Sequence, residues 1–184
     1  MNPYGIMDSI IMNPGSSLRK QLIKPAGPID PQISFIALQT TSNVPLAILA
    51  NYSLHYVGGV EKDVISADYF GFFDTNLNKL LHENKINPNF LGLMTNGTSG
   101  DINNHDYSKV LPSYKSYERM MNISQDIAEN IITKYNQLDF KNWVQIQILT
   151  ENITLEKRRL DEQIKNNLEK ISANYSDEHI FHKS

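Results

Sequence analysis

Asn51-Tyr52-Ser53-Leu54-His55-Tyr56-Val57-Gly58-Gly59 carries the main fold signal of this chain. The apolar run Pro45 to Ala50 leads into it, and two glycines follow soon after a histidine. A strand that ends this way delivers a polar side chain to the edge of a sheet. The chain then turns sharply at the glycines, which tolerate backbone angles closed to other residues. In open α/β sheets, ligands sit outside the carboxyl ends of the strands. His55 is therefore the first candidate functional residue. A histidine there can bind a metal, act as a base or orient a substrate, or it can be a hydrogen-bonded structural residue.

On the N-terminal side, Ile33 to Gln39 reads as a short strand, Thr40-Thr41-Ser42-Asn43 as a turn, and Pro45 to Leu54 as the second strand of a hairpin. Leu46 and Ile48 point to one face and Ala47 and Leu49 to the other, so the strand is expected to be covered on both sides. Phe70, Phe73, Leu77, Leu80 and Leu81 recur at helical spacing, with Ser66 or Asp68 as the N-cap and an end near Glu83. Phe90 to Met94 is expected to be a third strand, short and buried. Tyr114 to Leu138 is the clearest helix, with Tyr117, Met120, Met121, Ile127, Ala128, Ile131, Ile132 and Tyr135 on one stripe. Val144, Ile146 and Ile148 alternate with glutamines and predict a fourth strand. Leu155 to Ala173 predicts a last, charged helix with a thin stripe of Leu160, Ile164, Leu168 and Ile171.

The expected order is β-β-α-β-α-β-α, an α/β layered sheet with flanking helices and a partial domain. Residues 1–32 read as an extended Pro/Gly-rich lead-in, 33–173 as the α/β domain and 174–184 as a tail. With 40% apolar and 20% charged residues over 184 positions, the chain is globular rather than disordered. A net charge of −3 gives no electrostatic footprint for nucleic acid. No apolar run is long enough for a transmembrane helix. The absence of cysteine excludes thiol chemistry and disulfides and leaves the compartment open. No basic and apolar leader is visible at the N-terminus, so the localisation is unknown. The Asn-x-Ser/Thr triplets at Asn51, Asn96, Asn122, Asn152 and Asn174 read as chance matches in an Asn-rich chain.

The second candidate region follows the third strand: Thr95-Asn96-Gly97-Thr98-Ser99-Gly100-Asp101-Ile102-Asn103-Asn104-His105-Asp106. Gly-x-x-Gly after a strand predicts free backbone N–H groups, a nest for an anion or oxyanion. The bland alternative is an Asn/Gly/Ser-rich turn. The loop is a poor calcium site, since its sixth position from Asp101 is Asp106 rather than glycine. It is no phosphate-binding loop of the Lys-Ser/Thr kind. Phosphoryl transfer would need basic or metal-binding groups around it, and only His55, Asp101 and His105 qualify. Ser99 lacks the setting of a nucleophile elbow. Asp68 alone is more often a helix cap than an acid catalyst. His179-x-x-His182 has metal-capable spacing but lies in the tail.

Taken together, Pro25-Ala26-Gly27-Pro28-Ile29-Asp30-Pro31, Asn51-Tyr52-Ser53-Leu54-His55, Ile65-Ser66-Ala67-Asp68-Tyr69-Phe70-Gly71 and Asn96-Gly97-Thr98-Ser99-Gly100-Asp101-Ile102-Asn103 resemble the neutral/alkaline non-lysosomal ceramidase family over about residues 20–160. The resemblance implies a zinc-dependent hydrolase of N-acyl sphingosine amides, an enzyme of sphingolipid metabolism. It implies His55 as a zinc ligand, with the remaining ligands outside this chain. It places Asn103 where the family has its active-site serine, as a polar contact at the catalytic centre. Asn96, Gly97, Ser99 and Gly100 would bind substrate, and Asp68 and Asp101 would support the site from behind. The missing His-x-His pair upstream fits a partial chain whose remainder belongs to the same polypeptide, and the Asn103 departure puts ceramide specificity in question. That departure fits a relative with a different amide substrate. Members of the family are commonly exported, so the parent would be extracytoplasmic if it carries an export signal. The alternative is a non-catalytic, ligand- or partner-binding relative without a complete zinc site.

Overall fold

The computed structural model describes residues 11, 13–83, 85–110, 112–157 and 159–173. The chain divides into two compact units, one of them Asn13–Val144. In that unit, strand β1 (Ser34–Gln39) pairs antiparallel with β2 (Pro45–Tyr52), and β2 pairs parallel with β3 (Leu91–Asn96). Helix α1 (Asp68–Leu81) makes the crossover between the parallel strands, and α2 (Glu118–Tyr135) packs beside α1. This is an α/β fold with a small mixed sheet in the order β1-β2-β3. The lead-in forms one 3-10 turn, Ser16–Gln21, among its described residues.

The core lies between the sheet and the two helices. Tyr69, Phe73 and Leu77 of α1 recur every fourth residue and are fully buried against Ile48 and Ala50 of β2 and Met120, Ala128 and Ile131 of α2. Gly92 of β3 is required by packing, because a Cβ there would stand 2.9 Å from the Asp74 Cα. Its N–H donates to the Asp74 carboxylate at 2.6 Å, which ties α1 to β3. The buried Ser124 hydroxyl of α2 accepts from Asn76 of α1 at 3.1 Å. The buried Asn78 side chain bonds both the N–H (2.8 Å) and the carbonyl (2.9 Å) of Asn87, fixing the loop between α1 and β3.

Three sequence expectations need correction. The strand Pro45–Tyr52 is covered on one side only: Ile36, Leu38, Leu49, Leu91 and Leu93 share the opposite face and are exposed. The apolar pattern reports tolerance for burial on both faces, whereas helices α1 and α2 both pack on the Ile48 face. The fourth strand does not form. Val144 and Ile146 are irregular and exposed (68% and 82%), because alternation makes a strand only where a sheet edge supplies ladder bonds. The element order is accordingly β-β-α-β-α-α. The third correction is at the helix starts. Helix α1 begins behind Ala67, without a side-chain cap bond from that residue, while Ser66 and Asp68 bond neighbouring N–H groups.

The described part of the other unit holds helix α3 (Glu162–Ala173). It begins later than the periodicity predicts, at the point where the Asp161 carboxylate accepts the Ile164 N–H at 2.8 Å as an N-cap. Ile164 is its buried residue. The tail with His179 and His182 lies outside the described residues. No helix among the described residues is long and apolar enough to cross a membrane.

Candidate functional site

Parallel pairing sets the position of the site. Tyr52 and Asn96 are partners at the carboxyl ends of β2 and β3, so the segments that follow them leave the sheet at the same edge. These segments carry His55 and the 97–106 loop. They are laced together at once. The Gly97 N–H donates to the Tyr52 carbonyl at 2.9 Å, and the buried Ser53 hydroxyl lies 3.2 Å from both the Thr98 N–H and the Thr98 hydroxyl. Asn51 Nδ2 donates to the Thr95 hydroxyl at 2.7 Å. A Cβ on Gly97 would stand 2.6 Å from Ser53 Oγ, so glycine is needed there for close approach.

This lacing corrects the expected nest. The Gly97 and Thr98 N–H groups face β2 and the Ser53 hydroxyl, and the Ser99 N–H donates to the Gly97 carbonyl at 2.9 Å. The amides of 97–99 are engaged inside the protein and do not form a free oxyanion cradle. A strand–Gly-x-x-Gly pattern cannot reveal this, because the acceptors for Gly97 and Thr98 belong to residues about 45 positions earlier. Asn96 and Ser99 bond each other at 2.8 Å.

Beyond β2, the Tyr69 hydroxyl donates to the Leu54 carbonyl at 2.8 Å, and burial, then the nearby Asp68, raises its pKa far above the usual phenol value. Gly58 and Gly59 take φ values of +68° and +82°, the sharp turn expected from the sequence. Asp68 holds that turn: its carboxylate accepts the N–H groups of Val57 (2.9 Å), Gly58 (2.7 Å) and Tyr69 (2.7 Å). Asp101 is exposed. The Asn103 amide is engaged, donating to Asn13 at 2.6 Å and accepting the His105 N–H at 3.2 Å.

The described histidines differ in what their ring nitrogens do. His82 Nδ1 faces the Asn78 carbonyl at 2.9 Å, so it carries the proton, and Nε2 accepts from Asn87 at 3.2 Å. His105 is approached by the Arg119 guanidinium, 2.7 Å from Nδ1 and 3.0 Å from Nε2. A neutral imidazole has one acceptor nitrogen, so only one of these approaches is a hydrogen bond, and the shorter is to Nδ1. Burial and then Arg119 lower the pKa of His105. His55 is different. Its Nδ1 lies 3.2 Å from the Tyr56 carbonyl, which can only accept, so Nδ1 is the donor, and in the neutral ring the lone pair is then on Nε2. No described side chain occupies that nitrogen. This is the tautomer that metal-binding histidines use, with the far nitrogen tied to a carbonyl.

Two residues of this region are given no role of their own by the sequence, although Asn104 lies within the second candidate loop. Asn104 Nδ2 donates to the same Tyr56 carbonyl at 2.6 Å, so the loop and the His55 segment share one acceptor. Arg119 of α2 donates to the Asn104 carbonyl as well as to His105. Both act on groups well removed in the chain. Among the described residues, no three His, Asp or Glu side chains gather closely enough to hold a metal ion.

Comparison of the chain with protein-family models, with curated proteins and with solved structures returned no match.

Proposed function

We propose that this chain carries part of the active centre of a ceramidase-like, zinc-dependent hydrolase acting on an amide bond of an N-acyl sphingolipid-like or related substrate. One observation carries the reading. Just beyond the carboxyl end of the parallel β2/β3 pair, His55 Nε2 has no partner among the described residues, while both nitrogens of His82 are satisfied and Arg119 stands against His105. His55 fits one zinc ligand, and a catalytic zinc needs about three from the protein. The others come from outside the described residues. Bound zinc would supply Lewis acidity toward a carbonyl and a water of lowered pKa.

The chain's own residues hold the setting. The Tyr56 carbonyl fixes the His55 tautomer, and Asn104 and Asp68 hold the backbone that carries it. Ser53 and Thr98 set the loop in which Asn96, Ser99 and Gly100 would face substrate, with Asn103 as a polar contact. Asp101 would act through the loop rather than on the reacting atoms.

The test is made on the whole natural polypeptide. Zinc content by elemental analysis and hydrolysis of a fluorogenic N-acyl sphingosine are compared between the parent and His55→Ala. Loss of both is expected. Full zinc occupancy together with unchanged turnover in His55→Ala removes the assignment. The isolated 184 residues should hydrolyse no amide.

A second reading, a non-catalytic ligand-binding relative, is favoured by the state of Asn103. Both ends of its amide are engaged within the protein. A natural polypeptide that binds an N-acyl amide at the His55 edge, without zinc and without turnover, would select it.

A further inference from the structure

We propose that the cavity between the Val57–Val60 turn and the first turn of α2 binds an oxyanion, the carboxylate or phosphate group of a small molecule, through Arg119 and Lys115. The cavity measures about 340 Å³, at the small end of ligand sites. Among the described residues its lining includes Lys115 and Arg119 and no Asp or Glu, in a chain whose net charge is −3. Arg119 is half-buried, and its contacts are neutral: the His105 ring, the Asn104 carbonyl and the face of Tyr114, 5.7 Å from its ring centre. These contacts orient the guanidinium without neutralising it. Among the described residues neither Arg119 nor Lys115 joins an ion pair; the pairs there are Lys109–Asp106 and Lys141–Asp139.

Two acidic groups nearby, Glu118 and Asp68, are turned to other work, and Asp106 is paired with Lys109. Glu118 accepts the Lys115 backbone N–H at 2.8 Å, and Asp68 accepts the N–H groups of Val57 and Gly58. Neither lines the cavity. The N-terminus of the 18-residue helix α2 adds partial positive charge on the same side. A planar guanidinium held rigidly in a concave, carboxylate-free site is suited to bidentate recognition of an oxyanion, and the Lys115 ammonium adds a second charge. The inference stands without the hydrolase reading. Where both hold, the favoured amide is an anionic one rather than a neutral N-acyl sphingosine.

The experiment titrates metal-free full chain with inorganic phosphate and, separately, with acetate, following the side-chain N–H resonances of arginine by NMR. Saturable shifts centred on Arg119 are expected for at least one anion. Preference between the two anions tells a phosphate source from a carboxylate source. Arg119→Gln should weaken binding by about tenfold or more, the effect of losing a charged hydrogen-bonding group. Lys115→Gln, at an exposed position that leaves folding unaffected, should weaken it by a smaller factor. Lys134→Gln, at the far end of α2, should leave it unchanged. Unsaturable shifts, or equal losses in the Lys115 and Lys134 variants, would overturn the proposal.

Discussion

The two faces of the three-stranded sheet carry similar apolar chemistry and meet different surroundings. On one face Ile48 and Ala50 are buried under Phe73, Leu77 and Ile131. On the other, Ile36, Leu49 and Leu93 stand opposite one another across the strands, with 64%, 42% and 47% of their surface exposed. Residue type does not distinguish the faces. Connectivity does: α1 joins the parallel strands over the Ile48 side, and α2 follows it there. A covered position gains transfer energy and packing, while an open one keeps its contact with water.

Denaturation in urea measures that difference directly. Phe73→Ala, on the covered side, should cost about 3–5 kcal/mol through lost transfer energy and a residual cavity. Leu93→Ala, on the open side, should cost under about 1 kcal/mol, since little burial is lost. Equal losses at the two positions would mean that the open face is covered in solution.

The same contrast recurs within the loop after β3. Gly97 lies against Ser53 and Asn51, while a Cβ on Gly100 would meet nothing within 4 Å. Gly97→Ala should destabilise by about 1–3 kcal/mol, the usual range for overpacking. Gly100→Ala should stay within about 0.5 kcal/mol, as open surface substitutions do. A neutral Gly97→Ala would show that the lacing between the β2 and β3 ends is looser than its distances imply.

The smallest expected effect concerns His105. Its folded pKa lies below the unfolded value, because burial and Arg119 disfavour the charged ring. The folded state therefore binds the proton less readily than the unfolded one. The contribution is fully present above about pH 6.5, the unfolded histidine value. It is lost as pH falls from there through the lowered folded pKa. His105→Asn should flatten that part of a stability–pH curve, and an unchanged slope would discount the Arg119 contact.

The hairpin, the turn at Gly58 and Gly59 and most of the stripes of α1 and α2 are legible in the sequence, because each is encoded by neighbours in the chain; the second strand ends at Tyr52, three residues before His55, and Met121 of the expected α2 stripe is exposed. The failures share one cause. Val144 to Ile148 has the alternation of a strand and no ladder to join. The 97–99 amides look free in sequence, yet Gly97 and Thr98 find their acceptors around β2. Asn104 lies in the second candidate loop with no role of its own there, yet it reaches the Tyr56 carbonyl 48 residues away. His82 and His55 are each a single histidine in the sequence. Only the groups around their rings show that one is saturated and the other has a nitrogen without a partner among the described residues.

The α/β class, most of the local elements and the place of His55 shortly after a strand end follow from the amino-acid order, since periodicity and glycine conformation act over a few residues. Folding in three dimensions settles the rest: which sheet face is covered, which amides are engaged, which histidine nitrogen is bare and where the cationic cavity opens. Those properties belong to pairs of groups far apart in the chain, and only the fold brings them within hydrogen-bonding distance.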